Sequence, residues 1–93
     1  MRFEWDRGKA ERNIRKHGVD FAEASTAFGD PFARIIDDPG YAQEERRFIL
    51  LGRSEVGKLL IVVFTERKGD IIRIISARGA RPREQRSYEN VKE

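Results

Sequence analysis

The chain contains no cysteine and a single histidine, His17. Without thiols there is no disulfide framework, no thiolate nucleophile and none of the ligands that most structural zinc sites use. One imidazole excludes a histidine-rich metal centre too, so no metal site and no cofactor are expected. Apolar runs are short: the longest, Leu59 to Phe64, is six residues, against the roughly 20 that span a bilayer. No apolar stretch follows the charged N-terminus, and the chain reads as soluble and cytoplasmic. Its 93 residues leave room for one domain, 1–93, with a small core beneath a heavily ionised surface.

Charge is abundant but unevenly placed. Residues 67–86 carry seven basic side chains, Arg67, Lys68, Arg73, Arg78, Arg81, Arg83 and Arg86, against two acidic ones, while residues 1–66 are close to balanced. The basic excess behind a pI near 9.6 therefore sits in one late segment. Such a patch suits a polyanionic partner such as nucleic acid, with a merely solvated hairpin and helix face as the plain alternative.

Met1 to Trp5 alternates like a short edge strand. Asp6 then offers a cap to a helix over 9–17, which Gly18 terminates. Asp20 with Glu23 three residues later has the logic of a capping box, and Phe21, Ala24 and Phe28 repeat at helical spacing, which predicts a second helix over 21–28. Beyond Gly29-Asp30-Pro31 the period turns extended. Strands are expected over 33–37, 46–51, 58–65 and 71–77, separated by turns at Asp38-Pro39-Gly40, 53–57 and Lys68-Gly69-Asp70. These make an antiparallel meander whose third member, apolar at both parities, is central. Pro82 opens a polar C-terminal helix over 82–92. The fold class is α+β, in the order β-α-α-β-β-β-β-α: two N-terminal helices packed on an antiparallel sheet, then a C-terminal helix.

The sequence has no phosphate loop, paired-histidine signature or nucleophile elbow. What remains is a set of arginines with Glu66, Glu84, Tyr88 and His17 as possible acid–base groups. Metal-independent RNA cleavage needs only such a set: a base for the 2′-hydroxyl, cations for the growing phosphate charge and an acid for the leaving 5′-oxygen. Arginine suits the middle task because its planar fork holds two phosphate oxygens and keeps its charge.

The order of residues carries a resemblance. Phe3-Glu4-Trp5-Asp6, Lys9, Asn13, Lys16-His17-Gly18-Val19, Phe21, Ala24, Phe28 with Asp30, Arg46, Gly52, Val62-Val63-Phe64-Thr65-Glu66-Arg67, Ile72-Arg73-Ile74-Ile75-Ser76-Ala77-Arg78 and Glu84 with Tyr88 follow one pattern over essentially the whole chain. It resembles the BrnT family of bacterial toxins. The resemblance implies a ribonuclease toxin of a type II toxin–antitoxin pair with a RelE-like fold, which inhibits translation when free. It implies a neighbouring antitoxin, BrnA, that neutralises the toxin and makes the contacts when the complex binds operator DNA. Family site positions carry over to Arg67, Arg78, Arg83-Glu84 and Tyr88. The chain departs from the commoner pattern at Gly79 and Pro82.

Arg67 and Arg78 compete rather than cooperate. If 67–70 form the turn, Glu66 pairs with Ile71 and Leu59 with Arg78, which separates the two arginines by roughly 25 Å at ~3.3 Å per residue. The preferred site is built on Arg78 and Arg81 as phosphate binders and Glu84 as general base, with Tyr88 or His17 supplying a proton. Arg81, Arg83, Arg86, Lys68 and Lys16 are expected to hold the RNA backbone. The expected products are a 2′,3′-cyclic or 3′-phosphate and a 5′-hydroxyl. The rival reading is a non-catalytic nucleic-acid-binding or corepressor module using the same basic surface.

Overall fold

The computed structural model describes residues 1–38 and 46–92. The expected turn at Asp38-Pro39-Gly40 falls largely outside the described residues. Helix α1 (Arg7–His17) starts where the Asp6 carboxylate accepts from Lys9 N at 2.8 Å, two residues earlier than predicted, and ends at Gly18 in the left-handed region. Helix α2 (Phe21–Thr26) is capped by Asp20, which accepts from Ala22 N at 2.7 Å. The other half of the expected capping box is used elsewhere: Glu23 accepts from the Ser54 hydroxyl at 2.9 Å. The helix also stops short of Phe28. Thr26 donates to the Glu23 carbonyl, and a 3-10 turn (Ala27–Gly29) follows.

The sheet comprises β1 (Arg2–Glu4), β2 (Arg34–Asp37), β3 (Phe48–Arg53), β4 (Leu59–Arg67) and β5 (Ile71–Gly79), in the order β1-β5-β4-β3-β2. The last four form the antiparallel meander, with β4 central. The N-terminal strand corrects the fully antiparallel expectation: β1 runs parallel to β5, so the sheet is mixed. Two helices follow β1 and carry the chain from its place beside β5 to the opposite edge, where β2 begins the meander.

The β4–β5 register differs from the predicted one by a turn and a bulge. Gly69 and Asp70 both have positive φ, 82° and 62°, so the turn closes at Lys68-Gly69-Asp70 and Arg67 pairs with Ile71. Ile75 is then an extra residue between the Val63–Ser76 and Phe64–Ile74 pairs, a bulge that sets Arg78 opposite Ile61.

One sheet face is covered by α1 and α2. Val19, Phe21, Ala24 and Ala27 pack there on Leu50, Leu60, Val62, Phe64, Ile72, Ile74 and Ala77. Phe28 meets Phe3 and Phe64 edge-on at centroid distances of 5.1 and 4.9 Å. Gly52 admits the 3-10 turn, since a Cβ there would stand 3.0 Å from the Ala27 carbonyl oxygen. Trp5 stays 37% exposed at the margin of this layer, edge-on to Phe21. Helix α3 (Pro82–Lys92) lies on the other face, where Tyr88 packs on Leu51 and Ile61. Among the described residues it covers only one end of that face. Among the described residues no helix is long and apolar enough to cross a membrane.

Candidate active site

Strand alternation decides what the open face displays. Residues directly opposite in a ladder share a face, so the register sets Arg34, Leu51, Ile61 and Arg78 in one row and Ile36, Ile49, Val63 and Ser76 in the next. A cleft of about 250 Å³ follows these rows, with an apolar floor of Ile36, Ile49, Leu51 and Ile61. Arg34, Arg78, Glu84 and Ser87 supply its polar lining. Helical spacing presents Glu84, Ser87 and Tyr88 together toward the sheet and leaves Arg83 and Arg86 on the solvent side.

Arg78 and Glu84 form a fork-to-fork pair: Nη1 donates to Oε1 at 2.9 Å and Nη2 to Oε2 at 2.8 Å. Arg81 N, at the start of α3, also donates to Oε1 at 2.8 Å. The Arg78 hydrogen bonds, against opposition from burial and with help from the Arg81 N–H and both charges, pull the Glu84 carboxyl down to about 2. The same pairing raises Arg78 above its ordinary value. Arg34 Nη1, reaching from β2, donates to the Ser87 hydroxyl of α3 at 2.6 Å.

Of the predicted site residues, the structure brings together Arg78, Glu84 and the Arg81 backbone. Arg81, Arg83 and Arg86 are exposed along the adjoining helix. Arg67 is not among them. It lies seven β5 residues from Arg78, roughly 23 Å at ~3.3 Å each, as the sequence geometry required. There Glu4 accepts from Arg73 at 3.0 Å and stands 3.5 Å from Arg67 Nε. Lys68 is exposed in the neighbouring turn. His17 and Lys16 are exposed at the end of α1, in the helical layer across the sheet from Glu84. Tyr88 lies close to Glu84 along the chain but is turned inward and 2% exposed. Its hydroxyl donates to Asp30 Oδ2 at 2.6 Å, and burial together with that carboxylate raises its pKa. As placed, neither Tyr88 nor His17 presents a proton to the cleft.

Asp30, Arg34, Arg53 and Ser87 were missed by sequence reasoning. Burial pushes the Asp30 carboxyl up, but hydrogen bonds from Tyr88, Arg53 N and Phe32 N outweigh it and leave the pKa lowered. Arg53 adds its guanidinium over the Tyr88 ring at 5.3 Å. Asp30 had two signals, its place between Gly29 and Pro31, which marks a helix end as readily as an anchor, and its place after Phe28 in the family pattern. Arg34 had none beyond alternation with Ile36.

The crystal structure of the Brucella abortus ribonuclease toxin, BrnT, superposes with a TM-score of 0.68 at 28% identity, covering 87% of this chain and 97% of that one. No curated protein matches the sequence. The family model for the ribonuclease toxin BrnT of type II toxin–antitoxin systems matches residues 5–84, from Trp5 to the Glu84 that holds Arg78. The chain belongs to the BrnT family of ribonuclease toxins.

Proposed function

We propose that this chain is a metal-independent endoribonuclease that acts in the bacterial cytoplasm, inhibits translation, and cuts RNA in the cleft between Arg78 and Arg34. The observation that carries the reading is the Arg78–Glu84 fork. A carboxylate already occupies Arg78 in the two-oxygen manner of a phosphodiester, so an incoming phosphate exchanges with a group of matching shape. Once Arg78 turns to the phosphate, Glu84 loses the bonds that hold it near 2 and regains basicity, while the Arg81 N–H keeps it oriented. It then takes the proton of the 2′-hydroxyl as the 2′-oxygen attacks phosphorus. The bond from phosphorus to the 5′-oxygen breaks, and the leaving oxygen takes a proton from water in the open cleft. The products are a 2′,3′-cyclic phosphate and a 5′-hydroxyl. Arg78 and Arg34 stabilise the charge that grows on the phosphate, and Arg81, Arg83 and Arg86 hold its neighbours. The same exposed cations suit the carboxylates of a BrnA-type antitoxin, through which operator DNA is bound.

The test is incubation of the purified full chain with RNA in EDTA. Cleavage should persist and leave cyclic-phosphate ends. Arg78→Lys, which keeps the charge and loses the fork, and Glu84→Gln should each lower the rate on the order of 10²-fold or more. Activity lost on chelation and restored by a divalent ion would overturn the mechanism. Binding without cleavage would favour the non-catalytic module.

A further inference from the structure

Asp30 stands at the junction of three elements that build the cleft. Its Oδ2 accepts from the Tyr88 hydroxyl of α3 at 2.6 Å and from Arg53 N, at the end of β3, at 2.8 Å. Its Oδ1 accepts from Phe32 N at 2.9 Å and its carbonyl from Ala33 N at 3.1 Å, so the same residue shapes the turn that leads into β2. Arg34 opens β2 directly after that turn, and Leu51 lies two residues before Arg53 on the same face of β3. Glu84 and Ser87 precede Tyr88 on α3 by four residues and by one. Arg78, by contrast, stands on β5, inside the sheet.

The ties between α3 and the sheet do not all survive substrate binding. In the free protein the two hydrogen bonds of the fork hold Glu84 to Arg78. A phosphate that takes Arg78 breaks both, at the moment when Glu84 must stay within reach of the 2′-hydroxyl. The helix then keeps the Tyr88 ring, packed on Leu51 and Ile61 with the Arg53 guanidinium over it, and the bond from the Tyr88 hydroxyl to Asp30. Apolar contact resists separation but has no direction, so a ring held by it alone can tilt and slide. A short hydrogen bond to a carboxylate fixes both a point and a direction, and is roughly twice as strong as one between neutral groups. The Arg53 and Phe32 N–H groups keep that carboxylate aimed.

We propose that Asp30 is a positioning residue for RNA cleavage: through Tyr88 it holds α3, and with it Glu84, in place against the sheet while the Arg78 fork is open. This rests on the ribonuclease reading and on Glu84 as its base. Tyr88, which presents no proton to the cleft, acts through its neighbour one helical turn away.

Tyr88→Phe keeps the ring and removes only the link. At a temperature where melting curves show the full chain folded, it should lower the saturating single-turnover rate of RNA cleavage about tenfold while the half-saturating RNA concentration stays within about twofold, since placement of the base is lost and grip on the phosphates is not. Asp30→Ala should lower the rate at least as much, and the double variant should be no slower than Asp30→Ala alone, because both changes break one bond. Hydrogen exchange supplies a readout that a general loss of stability would not move. With an oligodeoxynucleotide bound, which offers phosphates but no 2′-hydroxyl, amides across 82–92 should exchange faster in Tyr88→Phe than in the same variant free, and wild type should show no such rise. A Tyr88→Phe chain that cuts at the wild-type rate, a loss confined to the half-saturating concentration, losses that multiply in the double variant, or a variant α3 that exchanges no faster with the oligodeoxynucleotide than without it would each overturn the proposal and leave the ribonuclease reading standing. A wild-type chain that cuts no RNA would overturn both.

Discussion

Among the described residues no strand lies beside the outer side of β5 beyond Arg73, because β1 is only three residues long. Asn13 stands in for one. From α1 its Nδ2 donates to the Ala77 carbonyl at 2.7 Å and to the Val19 carbonyl at 2.9 Å, while its Oδ1 accepts from Ala77 N at 3.1 Å. A buried amide so used has no apolar substitute. Asn13→Ala should destabilise by about 2–4 kcal/mol, since it strands backbone groups in the core, and urea unfolding would show it as a lower midpoint at unchanged slope. A wild-type midpoint would refute this. Glu84 makes a second residue-scale prediction. Its folded pKa of about 2 lies below the ordinary 4.5, so its stabilisation is present above pH 4.5 and lost as pH falls toward 2. At ~1.4 kcal/mol per unit the whole effect is at most about 3.5 kcal/mol, reduced by solvent screening because about a quarter of each side chain is exposed. Glu84→Gln should flatten this acid limb of the stability curve. Parallel losses in the two proteins would show that the pair does not stabilise the fold.

Among the described side chains of helix α3, Tyr88 is the buried one. Its ring on Leu51 and Ile61 with its hydroxyl on Asp30 holds the helix that carries Glu84. Tyr88→Phe keeps the ring and leaves an Asp30 oxygen short of a donor, which should cost about 1–2 kcal/mol. Amide exchange should rise across 82–92 more than in β4. Because the Tyr88 pKa is raised, its contribution is complete below pH 10 and fades as pH climbs through the folded value. The phenylalanine variant should lose that alkaline dependence, and α3 exchange unchanged from wild type would show the hydroxyl is dispensable. Element identities were legible because capping and hydrophobic period are local: Asp6, Gly18, Asp20 and Pro82 mark ends by what they do to adjacent backbone. The shortened α2, the Ile75 bulge and the parallel docking of β1 were not legible. Each answers to a distant partner, Glu23 to Ser54, β5 to β4, and Phe3 to Phe28.

At the scale of the whole molecule, cations gather at both ends of the open sheet face and along α3, so RNA binding should fall steeply with salt. Each phosphate neutralised on a single strand contributes about −0.7 to the slope of log K against log salt. In a Glu84→Gln background that binds without cutting, reversing Arg83 and Arg86 together should therefore make the slope shallower by about 1.4. An unchanged slope would mean that the outer face of α3 does not touch RNA. The basic segment behind this prediction was countable in the sequence. So were the α+β order and the separation of Arg67 from Arg78, since these follow from local period and the fixed rise of a strand, while the family was legible as a resemblance in the order of residues. Tertiary structure alone decided that Arg34 meets Ser87 across 53 residues, that Asp30 meets Tyr88 across 58, and that Asn13 meets Ala77 across 64. It also turned Tyr88 into the core and set the sheet between His17 and Glu84. The reason is physical: a helix or strand is specified by neighbours along the chain, whereas the partner of a buried polar group is specified by which surfaces close upon one another, and that is settled only when the whole chain packs.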